Sequence, residues 1–328
     1  MHVYFTTVVR RVKPEQGGEI VCLDWDQKKV VARQPMLPTD PPVHHTNPRG
    51  GARGGRGVVM HNGHVVAAGY HTLHRFDHQL NEVGRIAHPL YVNLHELSHD
   101  DASLWACATS LDGLIGVGAD GSTVDTWWPR ETPALQKRYG LTPGRIDKAV
   151  DNRLLWLDEK PTEDPSHTHI NAVCCHDGER YALLNRFSVV WAVGGDRPVI
   201  EDASLDRPHN LVHHAGHWLI NNTGDRSVHV YDDRGQPVRQ LRLLDHEPIA
   251  RIARAATDAD PGARPLFVRG LHVDADDRVW VGFSPASIAV FDFHTGALLD
   301  LHQHSDNVRA CVHGLTVQPA PLGEAAHA

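Results

Sequence analysis

The stretch HNLVHHAGHWLINNTGDRSVHVYDDRGQPVRQL, residues 209–241, decides the fold. A first apolar run ends at the turn HAG, residues 214–216, and a second run carries Trp218. TGD at 223–225 and DRG at 233–235 then separate a third run and a fourth. Short runs divided by Asn, Asp and Gly turns read as a four-stranded antiparallel meander. The pattern recurs from Arg56, Val92, His169 and Arg269, with Trp105, Tyr181, Trp218 and Trp280 at similar places in the second strand. First strands begin near residues 57, 93, 168, 209, 269 and 312. The shorter steps approach the roughly 40–50 residues of a propeller blade. The two longer steps hold insertions at about 129–166 and 242–267, where short helices are expected around 145–157 and 247–256.

The two ends of the chain complete the pattern. The last first strand, 310–317, has nothing after it, while the N-terminus offers strands at 2–10, 19–24 and 28–34 without an inner partner. Pairing them closes a ring and removes exposed sheet edges. The expectation is an all-β, six-bladed β-propeller forming one domain over residues 1–328. A β-sandwich accounts for neither the repeat nor the orphan strands. The Pro/Gly-rich stretch 35–55 reads as a linker between blades one and two.

Composition narrows the function classes. The 328 residues are 41% apolar and 22% charged, which suits a globular chain. The formal charge of −8 offers no footprint for nucleic acid. No apolar run reaches the ~18 residues of a membrane helix, and the N-terminus lacks the pattern of a signal peptide. Five cysteines without a CxxC pair suggest reduced thiols and a cytoplasmic location. The 26 histidines are many. Full protonation would carry the charge from −8 to +18, so behaviour near pH ~6.5 is expected to be pH-sensitive.

Position matters more than number. In a propeller, the beginnings of the first strands and the loops from second to third strand meet at one mouth of the channel. The first set contains Arg56, His95 and Glu96, His169 and Asn171, His209 and Asn210, Arg269 and His272, and Arg309 and His313. The second contains Tyr70, His71, Asn185, Arg186, Asn221, Asn222 and Ser284. His95, His169 and His209 occupy equivalent places in their blades, with His272 or His313 as a possible fourth partner. Neutral imidazoles suit Zn, Fe, Cu, Ni or Mn, and three ligands with an open position are the pattern of a catalytic metal. Glu96, Asn171 and Asn210 are candidates for orienting the rings, Glu96 also for a general base, Asn222 for a further catalytic residue, and Arg269 for an anionic substrate group. A structural reading competes, because 26 histidines will place some beside any channel. The histidines at 61–78 and the group His213, His214 and His217 read as solvated strand and turn residues.

The motifs NLHEL, THIN, RPHNLVHHAGHWLINNTG and VRGLHVDADDRVWVGFS resemble those of an uncharacterised bacterial group of six-bladed propellers, over about residues 56–318. That resemblance implies the fold and the importance of His95, Asn171, His209, Asn222 and Arg269, and no reaction. The chain is more broadly similar to gluconolactonase-like and strictosidine-synthase-like propellers. Those with a metal hold it on the axis by Glu, Asn and Asp. His in their place here favours a transition metal over Ca²⁺. The expected function is a metal-dependent enzyme acting on a small polar or anionic molecule, in specialised metabolism, by hydrolysis, elimination, isomerisation or oxidation. The alternatives are a non-catalytic protein- or glycan-binding propeller and a metal-free acid–base enzyme.

Overall fold

The computed structural model describes residues 1–37, 54–155, 163–260 and 265–319. Among them are six four-stranded antiparallel sheets. Blade one holds β1 (His2–Val9), β2 (Glu19–Asp24) and β3 (Lys29–Pro35). Blade two holds β4 (Val58–His61), β5 (His64–Ala68), β6 (Thr72–Phe76) and β7 (Glu82–Ala87). Blade three holds β8 (Leu94–His99), β9 (Leu104–Ala108), β10 (Gly113–Val117) and β11 (Thr123–Trp127). Blade four holds β12 (Ile170–His176), β13 (Glu179–Leu184), β14 (Val189–Ala192) and β15 (Pro198–Glu201). Blade five holds β16 (Pro208–His214), β17 (His217–Asn222), β18 (Ser227–Asp232) and β19 (Pro237–Arg242). Blade six holds β20 (Leu271–Val273), β21 (Arg278–Phe283), β22 (Ser287–Asp292) and β23 (Leu298–Gln303). The last strand, β24 (Ala310–Gln318), pairs with β1 and completes blade one.

Local sequence explains the hairpins. Asn62-Gly63, Asp177-Gly178 and Ala215-Gly216 each place two successive residues at positive φ, near 47–49° and then 73–75°. Those are the angles of the tight turn whose twist matches paired strands. Burial explains the ring. Among the described residues are six hydrophobic clusters, each joining one pair of neighbouring blades. Val3 and Phe5 of blade one meet Trp280 and Ile288 of blade six, and the rings of Trp25 and Trp280 lie edge to face there at 4.8 Å.

Near the axis, the blades are also tied by hydrogen bonds. Thr6 Oγ1 donates to the Arg56 carbonyl, the Gly57 amide to the His95 carbonyl (2.9 Å), and Thr109 Oγ1 to the Ile170 carbonyl (2.7 Å). Asn171 Nδ2 donates to the Pro208 carbonyl (3.1 Å), and the Gly270 amide to Asn210 Oδ1 (3.0 Å). Cys311 Sγ lies 3.3 Å from the Phe267 carbonyl. The blades come so close that a Cβ on Gly57 would stand 2.6 Å from the Leu97 amide nitrogen, and one on Gly314 2.3 Å from the Arg56 carbonyl oxygen.

The insertions differ in outcome. Helix α2, Glu247–Ala259, covers the expected segment and packs Ile249 and Ala253 against blades five and six. No helix forms over residues 145–155, where Asn152 Nδ2 instead bonds the carbonyls of Asp147 and Val150. Helix α1 lies earlier, at Pro133–Tyr139, with Pro at its first turn and Gly140 as a left-handed cap. Those are ordinary start and stop signals. Most of the linker (38–53) and Trp156 lie outside the described residues. Among the described residues, no helix is long and apolar enough to cross a membrane.

Candidate active site on the propeller axis

Every inner strand carries one extra residue at its axial end. In β8, Leu94 pairs with Ala108 and Leu97 with Ala106, so His95 and Glu96 both fall opposite Cys107. In β12 the extra residue is Asn171, and in β16 it is Asn210. In the closing pair, Phe5 faces Leu315 and Thr7 faces Val312, which leaves His313 and Gly314 against Thr6. Ahead of β4, Arg56 and Gly57 share Ala68 as their partner; ahead of β20, Arg269 and Gly270 share Gly282. Such two-against-one pairings bend a strand and redirect its side chains. Asn93, His169, Asn210 and Gly270 also take positive φ here, at 53°, 54°, 54° and 79°.

These irregularities gather four imidazoles. The His95 ring lies 5.8 Å from that of His169, 6.3 Å from that of His209 and 5.5 Å from that of His313. His95, His209 and His313 are buried, at 5%, 5% and 2% exposure. His209 Nδ1 donates to the Arg207 carbonyl (2.8 Å) and lies 2.9 Å from Thr223 Oγ1. Its Nε2 therefore keeps a lone pair, which is buried without a partner; His95 Nδ1 and Asn171 Oδ1 are likewise buried and unpartnered. His313 differs. Its Nε2 accepts from Arg269 Nη1 (2.6 Å) and Arg56 Nη1 (3.2 Å), and its Nδ1 lies 3.4 Å from Glu96 Oε1. Two guanidiniums thus occupy the nitrogen with which His313 could ligate.

Burial and nearby arginines set the charge states. Burial, with Arg56 and Arg269 beside it, holds His95 well below the usual imidazole range. Burial followed by Arg269 does the same to His209 and to His313. His169 is pushed down to about 3, mainly by burial and then by His167. All four imidazoles are therefore neutral at pH 7, the form that binds metals and accepts hydrogen bonds. Burial pushes the Glu96 carboxyl up to about 8 against the pull of Arg269, and Arg56 down to about 10.

The loops from second to third strand reach the same mouth, as the sequence pattern implies. Asn185 Nδ2 donates to the Pro208 carbonyl (2.6 Å), Asn221 Nδ2 to Asn210 Oδ1 (2.9 Å), and Ser284 Oγ accepts from the Phe267 amide (3.0 Å). Tyr70 is buried beside Arg56. Three expected residues stand apart. His272 lies further along β20, opposite Trp280, and its charged neighbours are Asp274 and His214. Asn222 holds a loop, accepting from the Asp206 amide (2.7 Å) and donating to the Ser204 carbonyl (3.1 Å). Arg309 is exposed.

Other residues join the site unannounced by their own motifs. Arg10, at the end of β1, reaches the axis in place of Arg309, to whose carbonyl its amide bonds. Asp112 accepts from the Thr168 amide (2.7 Å) and Thr168 Oγ1 (2.6 Å), and so fixes the segment that presents His169. Asp112 lies in an Asp-Gly sequence that reads as a turn, and its bond to the next blade has no local sequence signal. Arg10 could have been found from the expected pairing of the two chain ends.

Among the described residues, no group of three or more His, Cys, Asp and Glu side chains is placed to hold a metal ion. The donor types are nonetheless those a transition metal takes: neutral rings on different blades, and two buried nitrogens without partners. A backbone carbonyl orients one of those rings, as it does for many metal-bound histidines.

No family model and no curated protein matches the sequence. Solved structures match the fold. A Bacteroides caccae protein of unknown function is 12% identical with a TM-score of 0.59, over 96% of this chain and 97% of that one. A chain of a nidogen/laminin complex is 11% identical with a TM-score of 0.56, over 96% and 97%. A Bacteroides uniformis protein assigned as a 6-phosphogluconolactonase is 10% identical with a TM-score of 0.50, over 92% and 83%. At such identities the likeness is one of fold alone.

Proposed function

We propose that this protein is an enzyme acting on a small anionic molecule at the propeller axis, assisted by a transition metal on His95, His169 and His209. The observation that carries the reading is the gathering of neutral imidazoles around His95 with partnerless nitrogens on His95 and His209. A metal held there would act as a Lewis acid and acidify a bound water. Arg269 and Arg56, locked in place by His313, bind and orient the anionic end of the substrate. Glu96 faces the same space and exchanges a proton with the substrate or with a water. Asn171 spans blades four and five and offers its free Oδ1 to a donor.

A metal-free acid–base reading is favoured by one observation, the 3.4 Å approach of Glu96 Oε1 to His313 Nδ1. Elemental analysis of tag-free protein by plasma mass spectrometry separates the two. The expected result is about one transition metal ion per chain, lost in a His95→Ala/His169→Ala variant. No metal after reconstitution overturns the metal reading and leaves the acid–base one.

A further inference from the structure

Two oxygens decide which nitrogen of His209 carries the proton. The Arg207 carbonyl lies 2.8 Å from Nδ1, and Thr223 Oγ1 lies 2.9 Å from it. A carbonyl oxygen only accepts. The Thr223 hydroxyl gives its own proton to the Val268 carbonyl, at 2.9 Å, and so faces the ring with a lone pair. Nδ1 is therefore the protonated nitrogen, and the lone pair stands on Nε2, buried without a partner. His209, Thr223 and Val268 are all buried. Thr223 is itself held on both sides. Asn222 accepts from the Asp206 amide (2.7 Å) and donates to the Ser204 carbonyl (3.1 Å), and the Gly224 amide donates to the Asp206 carbonyl (2.8 Å). Beyond Val268 comes Arg269, whose Nη1 lies 2.6 Å from His313 Nε2. One hydroxyl thus links the histidine of blade five to the arginine segment of blade six.

We propose that Thr223 is a positioning residue of the axial site: its hydroxyl, with the Arg207 carbonyl, keeps the proton on Nδ1 of His209 and leaves Nε2 as the nitrogen offered to a metal. The use of that nitrogen by a metal rests on the function proposed above, whereas the placement of the proton does not. A hydroxyl here does two things that a methyl group cannot. It gives Nδ1–H a second acceptor, which opposes movement of the proton to Nε2. It also ties the rotation of the ring to Val268, so that His209 and Arg269 keep a fixed relation across the blade boundary. Partners of this kind govern both the tautomer and the orientation of a ligating histidine. Asn222, a catalytic candidate in the sequence, stands one step further out, in the loop that holds Thr223.

The test is nitrogen NMR of the full, metal-free chain labelled at histidine, with the His209 signals identified by their absence in His209→Gln. Zn²⁺ is titrated into the same samples against a competing chelator. Wild type is expected to show a protonated Nδ1 and an unprotonated Nε2 on His209. Thr223→Val should move the Nε2 resonance toward its protonated position and weaken Zn²⁺ by about tenfold or more. Thr223→Ser keeps the hydroxyl and should leave the resonance in place, with Zn²⁺ affinity within about twofold of wild type. Thermal melts show that each variant folds, and the wild-type tautomer tests the assignment even where Thr223→Val does not. A proton on Nε2 in wild type, an Nε2 resonance indifferent to Thr223→Val, or a Thr223→Ser as altered as Thr223→Val overturns the role of Thr223. Failure of wild type to bind Zn²⁺ while the resonances move as expected overturns the metal reading and upholds Thr223 as the residue that sets His209.

Discussion

His169 holds a left-handed backbone with φ of 54°, a conformation that costs a residue with a Cβ about 1–2 kcal/mol and glycine almost nothing. A side chain kept there at a cost to stability points to use. His169→Gly is therefore expected to melt within ~3 °C of wild type or above it, while, on the proposed function, metal content and activity fall. A drop of more than ~5 °C in a thermal melt would instead make the imidazole a structural member. Glu96 yields a second prediction, made for the metal-free protein. Its folded pKa of about 8 lies above the usual 4.5, so between these values the folded chain holds a proton that the unfolded chain has released. Stability from this group falls as pH rises through that window, by up to about 1.4 kcal/mol per unit. Above about pH 7.5, where imidazole titration is largely over, denaturant midpoints should decline through pH 8, and Glu96→Gln should flatten the decline.

The inner strand decides what could be read from the sequence. Blade number and the closing pair were legible because Asn-Gly and Asp-Gly turns are local signals, and those turns adopt the expected angles; His95 and His209 do hold equivalent places, but in blade four that place falls to Ile170 and His169 stands one residue earlier. Which side chain faces the axis was not legible. An alternating strand shows one of two neighbours to each face, and the extra residue in every inner strand breaks that rule. His95 and Glu96 consequently share the site, whereas His272 falls past the irregularity and packs beside Asp274 and His214. Asn222 looked like a member of the site because it follows Asn221 in a strand that ends at the mouth, yet its amide belongs to the loop at Ser204–Asp206. The same strands predict a steric result. Gly314→Ala would drive a methyl group against the Arg56 carbonyl in the neighbouring blade, at 2.3 Å before any relaxation. A loss of about 1–3 kcal/mol is expected in urea unfolding, with Gly84→Ala, whose Cβ meets nothing and whose φ is likewise not positive, as the control without a clash.

Across the whole molecule, the buried imidazoles make an acid sensor of the fold. His95, His209 and His313 are held well below 6.5, His169 at about 3 and His272 at about 4, in each case chiefly by burial. The unfolded chain takes up these protons near pH 6.5 and the folded chain does not. Stability is therefore complete above that pH and is lost as pH falls below it, with each ring contributing up to about 1.4 kcal/mol per unit. Unfolding of metal-free protein at pH 5 should accordingly be accompanied by uptake of about four or more protons, measurable from calorimetric enthalpies in buffers of different ionisation heat. Uptake near zero would mean that these rings are already charged in the folded chain.

The closing seam between β1 and β24 has a consequence for synthesis. Arg10 leaves the ribosome early and His313 some three hundred residues later, yet the two flank the same arginine, Arg269. Until His313 emerges, Arg56 and Arg269 lack the imidazole to which both donate, and a nascent chain can carry five blades without the assembled arginine–imidazole cluster. Any ligand that depends on that cluster is thereby out of reach of every product that stops before the seam.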